Sequence, residues 1–357
     1  MLFTKLDLEN RRVKDLFKIN SKTHMFSWDH YYECYNYTIR QILDKGLSKK
    51  YALNSLSKPV LFLIRHNFEL LLKKNLMINN FDIPISHDFK EILNAFPDKT
   101  LVPDEFQLIL SAQVFVNDGA NLRYDLNKET GESYFPNGER IEVCPTLELF
   151  NSIASSDTFH LDQLCTPFDY TSKTKKWDLT FHMRECAGLG ILRTQFDGTI
   201  EMLIEGIIND GFDIHKVYLP LMFLIRHSLE LALKFNIQRI QATSSLISQK
   251  DLTWEHSLAT LFNCYDDYLS KIDQSKLSPV VQEQYKGYKP VYDELYSIIH
   301  NFDSNSRIFR FPTDKSGDPY SVKLLNKDIV KILRLYYFVD PFITFTNLVL
   351  EEENALI

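Results

Sequence analysis

Glycine is scarce in this chain, with 11 in 357 residues and none in a G-x-x-x-x-G-K-[ST] or G-x-G-x-x-G arrangement. Phosphate cradles of those two types need glycine where the backbone closes on the ligand, so neither is expected. The serine elbow G-x-S-x-G and the zinc motif H-E-x-x-H are also absent. Cysteine is thin: Cys34, Cys144, Cys165, Cys186 and Cys264 lie far apart, with no C-x-x-C pair. An odd, scattered set fits reduced thiols and argues against a disulfide framework or a zinc site, so no cofactor and no metal are expected. No apolar run approaches the roughly 18–20 residues of a membrane span. The opening "MLFTKLDLENRR" lacks the basic-then-apolar layout of a secretion signal. Positive charge is also short: 40 Lys and Arg against 47 Asp and Glu, net −7, gives no global field to gather nucleic acid. The expectation is a soluble, cytoplasmic protein without membrane contact. Its length allows two or three domains of roughly 100–200 residues.

What the chain does have is a sentence written twice. "LFLIRHNFELLLK" at 61–73 returns as "MFLIRHSLELALK" at 222–234, identical in nine of thirteen columns. Two further landmarks follow in the same order. "SHDFKEIL" (86–93) answers "EHSLATLF" (255–262), and "NLRYDLNKETGESY" (121–134) answers "RIFRFPTDKSGDPY" (307–320). The offset grows from 161 residues at Arg65/Arg226 to 169 at His87/His256 and 187 at Arg123/Arg310, as loop insertions would produce. A duplication is therefore expected, with copies at 1–160 and 161–357 joined near 155–175.

Helical spacing of apolar residues dominates: 35–43, 103–116, 199–208, 291–302 and 327–352, the last to be kinked or broken at Pro341. His87 and His256 each lead a further helix. The Arg-aromatic segments look like short hairpins, and "KKWDLTFHM" (175–183) like another strand pair. The expected fold is mainly α, two helical bundles each with a small inserted β-hairpin.

At about 100° per residue, Arg226, Glu230, Lys234 and His227 share one stripe of a helix that is otherwise apolar. Arg65, Glu69, Lys73 and His66 repeat it. Burying such charges unpaired costs several kcal/mol, so the stripe needs a partner, a groove or solvent. One reading is an i, i+4 ion pair with a core histidine. The other is a composite site: Arg226, His227, Glu230, His256 and Arg310 as catalytic residues, echoed by Arg65, His66, Glu69, His87 and Arg123 as binding residues. In it the arginines hold phosphate and a histidine moves a proton, kept neutral by the positive end of the helix that it leads.

The "IRHSLEL-LK" helix, the later "H-L--L" helix and the "FR[YF]P" segment resemble HEPN-type helical bundle proteins of prokaryotic antiviral defence and toxin systems. The resemblance covers about 194–350 and, more loosely, the first copy. It implies action on RNA or a nucleotide, often as a metal-independent endoribonuclease working as a dimer, though some members bind nucleotides or are inert. A tandem copy would build such a dimer within one chain. The chain departs from the family in one respect: no arginine is followed by four to six residues and then histidine. The usual catalytic pair is therefore not carried over. The alternative is a non-catalytic binding or scaffold module, a protein partner's platform or a nucleotide sensor. Its Arg-His-Glu stripes would be structural ion-pair networks. A protein partner or a second copy of the chain is expected in either case. The basic patch "SKTKKW" (172–177) reads as a solvated turn, and the aromatic clusters "WDHYYECYNY" (28–37) and "RLYYFVDPF" (334–342) as core or as a packing face.

Overall fold

Apolar positions at helical spacing become helices almost throughout. The computed structural model describes residues 7–19, 27–48, 53–98, 101–115, 119–127, 129–154, 180–183, 188–243, 250–252, 254–271, 273–302, 306–320 and 328–353. These form a mainly helical protein with a small two-stranded sheet. The expected junction at 155–175, the patch 172–177, Cys165 and Cys186 lie outside the described residues. Among the described residues, no helix is long and apolar enough to cross a membrane.

The helices are α1 (Arg11–Leu16), α2 (Trp28–Ser48), α3 (Ser57–Ile78), α4 (Phe89–Asn94), α5 (Asp104–Leu110), α6 (Ala120–Arg123) and α7 (Cys144–Ala154). They continue with α8 (Gly188–Asn209), α9 (Ile214–Thr243), α10 (Leu258–Ser270), α11 (Pro279–Phe302) and α12 (Ile329–Glu352). Strand β1 (Glu139–Glu142) pairs antiparallel with β2 (Thr180–Met183), from Glu139↔Met183 to Glu142↔Thr180.

Contacts divide the chain into two units. The larger holds Asn20–Leu224 and Arg307–Leu325; the smaller holds Met1–Ile19, Ile225–Ser306 and Asn326–Ile357. This cuts across the expected halves 1–160 and 161–357. The physical reason is that elements of the second half are built into the larger core. There β2 pairs with β1, α8 packs on α2 and α3, and Lys58 N donates to Gln195 Oε1 at 3.0 Å. Segment 307–311 is held in the same unit by two buried tyrosines of α2. Tyr31 Oη donates to the carbonyl of Ile308 at 2.6 Å, and Tyr35 Oη to that of Phe309 at 3.0 Å.

Helix α3 is the centre of the larger unit. Its residues from Ser57 to Leu76 are all buried, and α2, α4, α6 and α8 pack around it. Pro59 sits in its first turn, where a missing N–H costs no intrahelical bond. Helix α9 tolerates Pro220 in its interior. The carbonyl that Pro220 leaves without its helical donor is that of Lys216, which instead faces the Thr38 hydroxyl at 3.5 Å. The aromatic cluster of α2 is core material here, since Trp28, Tyr31, Tyr32 and Tyr35 are buried.

Four local expectations need correction. "NLRYDL" forms a helical turn, α6, started by Gly119 at φ 77°. The hairpins reduce to single bridges, Leu126↔Ser133 and Thr313↔Pro319, because these polar, turn-rich segments offer no alternating apolar face to hold a ladder. Helix α12 runs unbroken through residue 341. Burial of Ile332, Leu333, Leu335, Tyr336, Ile343 and Leu350 on this one element outweighs the lost hydrogen bond. The segment 103–115, by contrast, is split, α5 giving way to a short 3-10 turn at Gln113–Phe115.

In the smaller unit α10, α11 and α12 pack in sequence, and a polar knot ties α12 to α9. Asn347 Nδ2 donates to Asn236 Oδ1 at 2.7 Å and to its carbonyl at 3.1 Å, while Tyr265 Oη donates to Asn347 Oδ1 at 3.1 Å. Asn347 is fully buried. Asn347→Ala is therefore expected to lower unfolding stability by about 2–3 kcal/mol in a denaturant titration.

Candidate functional site

One turn of helix separates Arg65 from Glu69 and another separates Glu69 from Lys73, so the three point the same way from α3. In the larger unit, Arg65 Nη1 lies 3.4 Å from Glu69 Oε2, and Lys73 Nζ lies 2.9 Å from Glu69 Oε1. The third partner comes from the loop before α4. His87 Nδ1 donates to Glu69 Oε1 at 2.7 Å, while Arg65 Nη2 donates to the His87 carbonyl at 2.6 Å. Arg65 also lies over the Phe89 ring, with its Nε 3.4 Å from the carbonyl of Phe115. Gly119 leaves it room: a Cβ there would stand 3.1 Å from Arg65 Cδ.

The smaller unit repeats this on α9. Arg226 Nη1 lies 3.3 Å from Glu230 Oε2, and Lys234 Nζ 2.9 Å from Glu230 Oε1. His256 Nδ1 donates to Glu230 Oε1 at 3.0 Å, and Arg226 Nη2 donates to the His256 carbonyl at 2.5 Å. His66 Nδ1 is 3.8 Å from Glu69, and His227 Nδ1 is 4.0 Å from Glu230. In each stripe one carboxylate gathers two cations from its own helix and one imidazole from the following loop.

Arg65, Glu69 and Lys73 are 1% exposed or less, and Arg226, Glu230 and Lys234 are 5% or less. Each buried carboxylate is thus met by two buried cations. Burial pulls the Glu69 carboxyl up, but Lys73, His87 and His66 outweigh it and hold the group well below the usual carboxylate range. Glu230 behaves alike: burial is opposed by His256, Lys234, His227 and Arg226.

His87 and His256 do not begin their helices. Each lies one residue before the capping residue: Asp88 Oδ1 accepts from Lys90 N, and Ser257 Oγ from Thr260 N. The depressed affinity of His87 for a proton comes from burial, against the opposing pull of Glu69. Its Nε2 faces Arg307 Nη1 at 3.4 Å, so its acceptor nitrogen is engaged. Burial takes His66 down to about 4, and its Nε2–H donates to the Arg310 carbonyl at 2.9 Å. His256 differs, with a side chain 48% exposed.

The two arginines of the Arg-aromatic segments, Arg123 and Arg310, both belong to the larger unit. Arg226, His227, Glu230 and His256 come together in the smaller unit, whereas Arg310 belongs to the larger one, beside His66. Its guanidinium carbon is 5.8 Å from the Phe223 ring centre, and that of Arg123 is 5.6 Å from Phe62. Those two rings stack at 4.9 Å. Burial, then the like charge of Arg123, lowers Arg310 to about 10.

Lys73 and Lys234, expected in the stripes, complete the clamps. Phe62 and Phe223, which lie under the arginines, were not among the expected site residues, although they occupy an identical column of the repeat. Phe311 is enclosed by His87 stacked at 4.9 Å, His66 edge-on at 4.9 Å, Arg307 at 4.6 Å and Lys73 at 5.0 Å. No local pattern in "RIFRFP" marks that role.

A cavity of about 220 Å³ opens in the smaller unit, with Lys234, Gln238, Gln241, Lys250 and Asp251 among its walls. Among the described residues no group of three or more His, Cys, Asp and Glu is arranged to hold a metal ion. Comparison with family models, curated proteins and solved structures finds no match to this chain.

Removing a carboxylate from either clamp strands buried cations. Glu69→Gln and Glu230→Gln are each expected to cost about 3–5 kcal/mol by chemical denaturation. Acid should act in the same direction. The folded state holds His66 and His87 neutral and Glu69 ionised, so the unfolded chain binds more protons as pH falls. Stability contributed by the histidines is complete above their unfolded value near 6.5 and is lost as pH drops toward 4, with Glu69 adding below that. The unfolding free energy should decline from about pH 6.5 downward, by up to about 1.4 kcal/mol per pH unit for each titrating group, and the melting temperature should fall with it. His66→Gln should flatten the first part of that decline.

Proposed function

We propose that this chain is a HEPN-like helical bundle protein of the prokaryotic defence or toxin type, built by tandem duplication and working in the cytoplasm. In this reading it acts by binding a nucleotide or a protein partner, and its two Arg-His-x-x-Glu helices are internal clamps. The observation that carries it is the closure of both stripes. Arg65 and Arg226 direct their donors to a neighbouring carboxylate and a histidine carbonyl rather than toward a ligand. Duplication is supported by the near-equal distances of the matching contacts in the two stripes.

A second reading is favoured by one specific feature, the exposure of His256. An imidazole that solvent can reach and a buried carboxylate orients is equipped to move a proton. There His256 would be the acid or base of a metal-independent endoribonuclease, oriented by Glu230 and supported by Arg226 and His227.

Incubation of the full chain with total cellular RNA in EDTA separates the two, beside a His256→Ala variant. The binding reading predicts intact RNA with both proteins. Cleavage by the wild type, lost in a variant of unchanged melting temperature, would establish the nuclease instead.

A further inference from the structure

We propose that the cavity beside the Glu230 clamp takes a nucleoside monophosphate with an amino-bearing base, adenosine monophosphate being the simplest. The base lies against Gln238 and Gln241, and the phosphate stays at the rim on Lys250. The proposal deepens the binding reading and rests on it in taking a nucleotide for the ligand.

The cavity, of about 220 Å³, is lined only by residues of the smaller unit. Lys234, Ile237, Gln238 and Gln241 recur at helical spacing, so one face of α9 forms a wall. Segment 250–252 forms the other. The clamp does not require this arrangement. At the matching offsets beyond Lys73 stand Leu76, Met77 and Asn80, and α3 stops at Ile78. Helix α9 instead runs on to Thr243 and carries two amides along its continuation.

Gln241 is held in one orientation. Its Nε2 donates to the Lys250 carbonyl at 3.0 Å and to Tyr268 Oη at 2.8 Å. Both amide hydrogens are thereby used, and Oε1 is the group's acceptor for a donor in the cavity. Gln238, an exposed residue on the same wall, adds a second amide with both donor and acceptor. Ile237 and Leu252 offer apolar surface to a ring. Paired donors and acceptors at the edge of a flat ring are the chemistry of a nucleobase, and glutamine matches the amino edge of adenine.

Charge sets the rest of the ligand. Lys234 is 2% exposed and bound to Glu230, so the exposed Lys250 is the cation placed to meet an anion. Asp251 on the same wall repels a polyanion and can accept from sugar hydroxyls. One phosphate is matched, and a triphosphate is not. The volume falls below the roughly 300–1,000 Å³ of sites that enclose a drug-sized ligand. Base and sugar therefore fill it, and the phosphate remains outside.

The test is isothermal titration calorimetry of the full chain with adenosine monophosphate, adenosine and inorganic phosphate. Gln238→Leu, Gln241→Leu and Lys250→Ala are titrated alongside, each with its melting temperature checked. The nucleotide should bind one to one, adenosine about tenfold more weakly, and phosphate alone not measurably. Either leucine variant should weaken nucleotide and nucleoside alike by about tenfold. Lys250→Ala should weaken only the nucleotide, to the level of adenosine. Gln238 and Lys250 are exposed, so their variants keep the test decisive if Gln241→Leu does not fold. No binding of adenosine monophosphate by folded wild type overturns the proposal, as does phosphate binding equally well. Nucleotide binding unchanged in all folded variants overturns it too, by placing the ligand elsewhere, while the binding reading stands. Failure of that reading is a separate observation, RNA cleavage lost in His256→Ala, which this titration does not measure.

Discussion

A carboxylate sealed inside a helical protein must be met by cations and hydrogen-bond donors from several directions, and Glu69 and Glu230 impose that requirement on everything around them. A lysine one turn later and an arginine one turn earlier supply two directions, which helical geometry provides without further help. The third must come from outside the helix. In both stripes it is a histidine in the loop ahead of a capped helix, and the same arginine grips that histidine's carbonyl. The glutamate thus joins two elements by charge, and the arginine joins them again by a backbone contact.

Two kinds of arginine follow. Those in the stripes are buried and hold loop to helix through a histidine carbonyl. Those of the Arg-aromatic segments rest on a phenylalanine stack and take no part in the clamps. The histidines divide similarly: His66 is buried and His87 partly so, and both are engaged, while His256 offers about half its side chain to solvent. The difference between two otherwise parallel stripes is what keeps a catalytic reading open for the smaller unit alone.

Much of this was legible beforehand. The stripe, its i, i+4 pairing and the helices that carry it follow from spacing, and the loop histidines were visible because one recurs in the same order after each stripe, 22 residues beyond Arg65 and 30 beyond Arg226. Three things were hidden. The role of Phe62 and Phe223 was masked because a phenylalanine in an apolar run looks like ordinary core. The companionship of Arg310 with His66 depends on chain routing, since residues 307–320 belong to the larger unit and Arg310 stands 244 residues along the chain from His66. Pairing of β1 with β2 is long-range, and no local turn signal announces it. Local physics could state what each residue needed, but not which distant segment would meet the need.

The central claim is that the Arg-His-x-x-Glu stripes are closed, cooperative clamps. The most direct test is a double-mutant cycle between Arg226 and Glu230, using Arg226→Met, Glu230→Leu and the pair, read by chemical denaturation. The account predicts strong coupling of about 1–3 kcal/mol, with the double variant more stable than the two single losses would sum to. Additive losses would mean that the arginine and the carboxylate do not hold each other, and would contradict it.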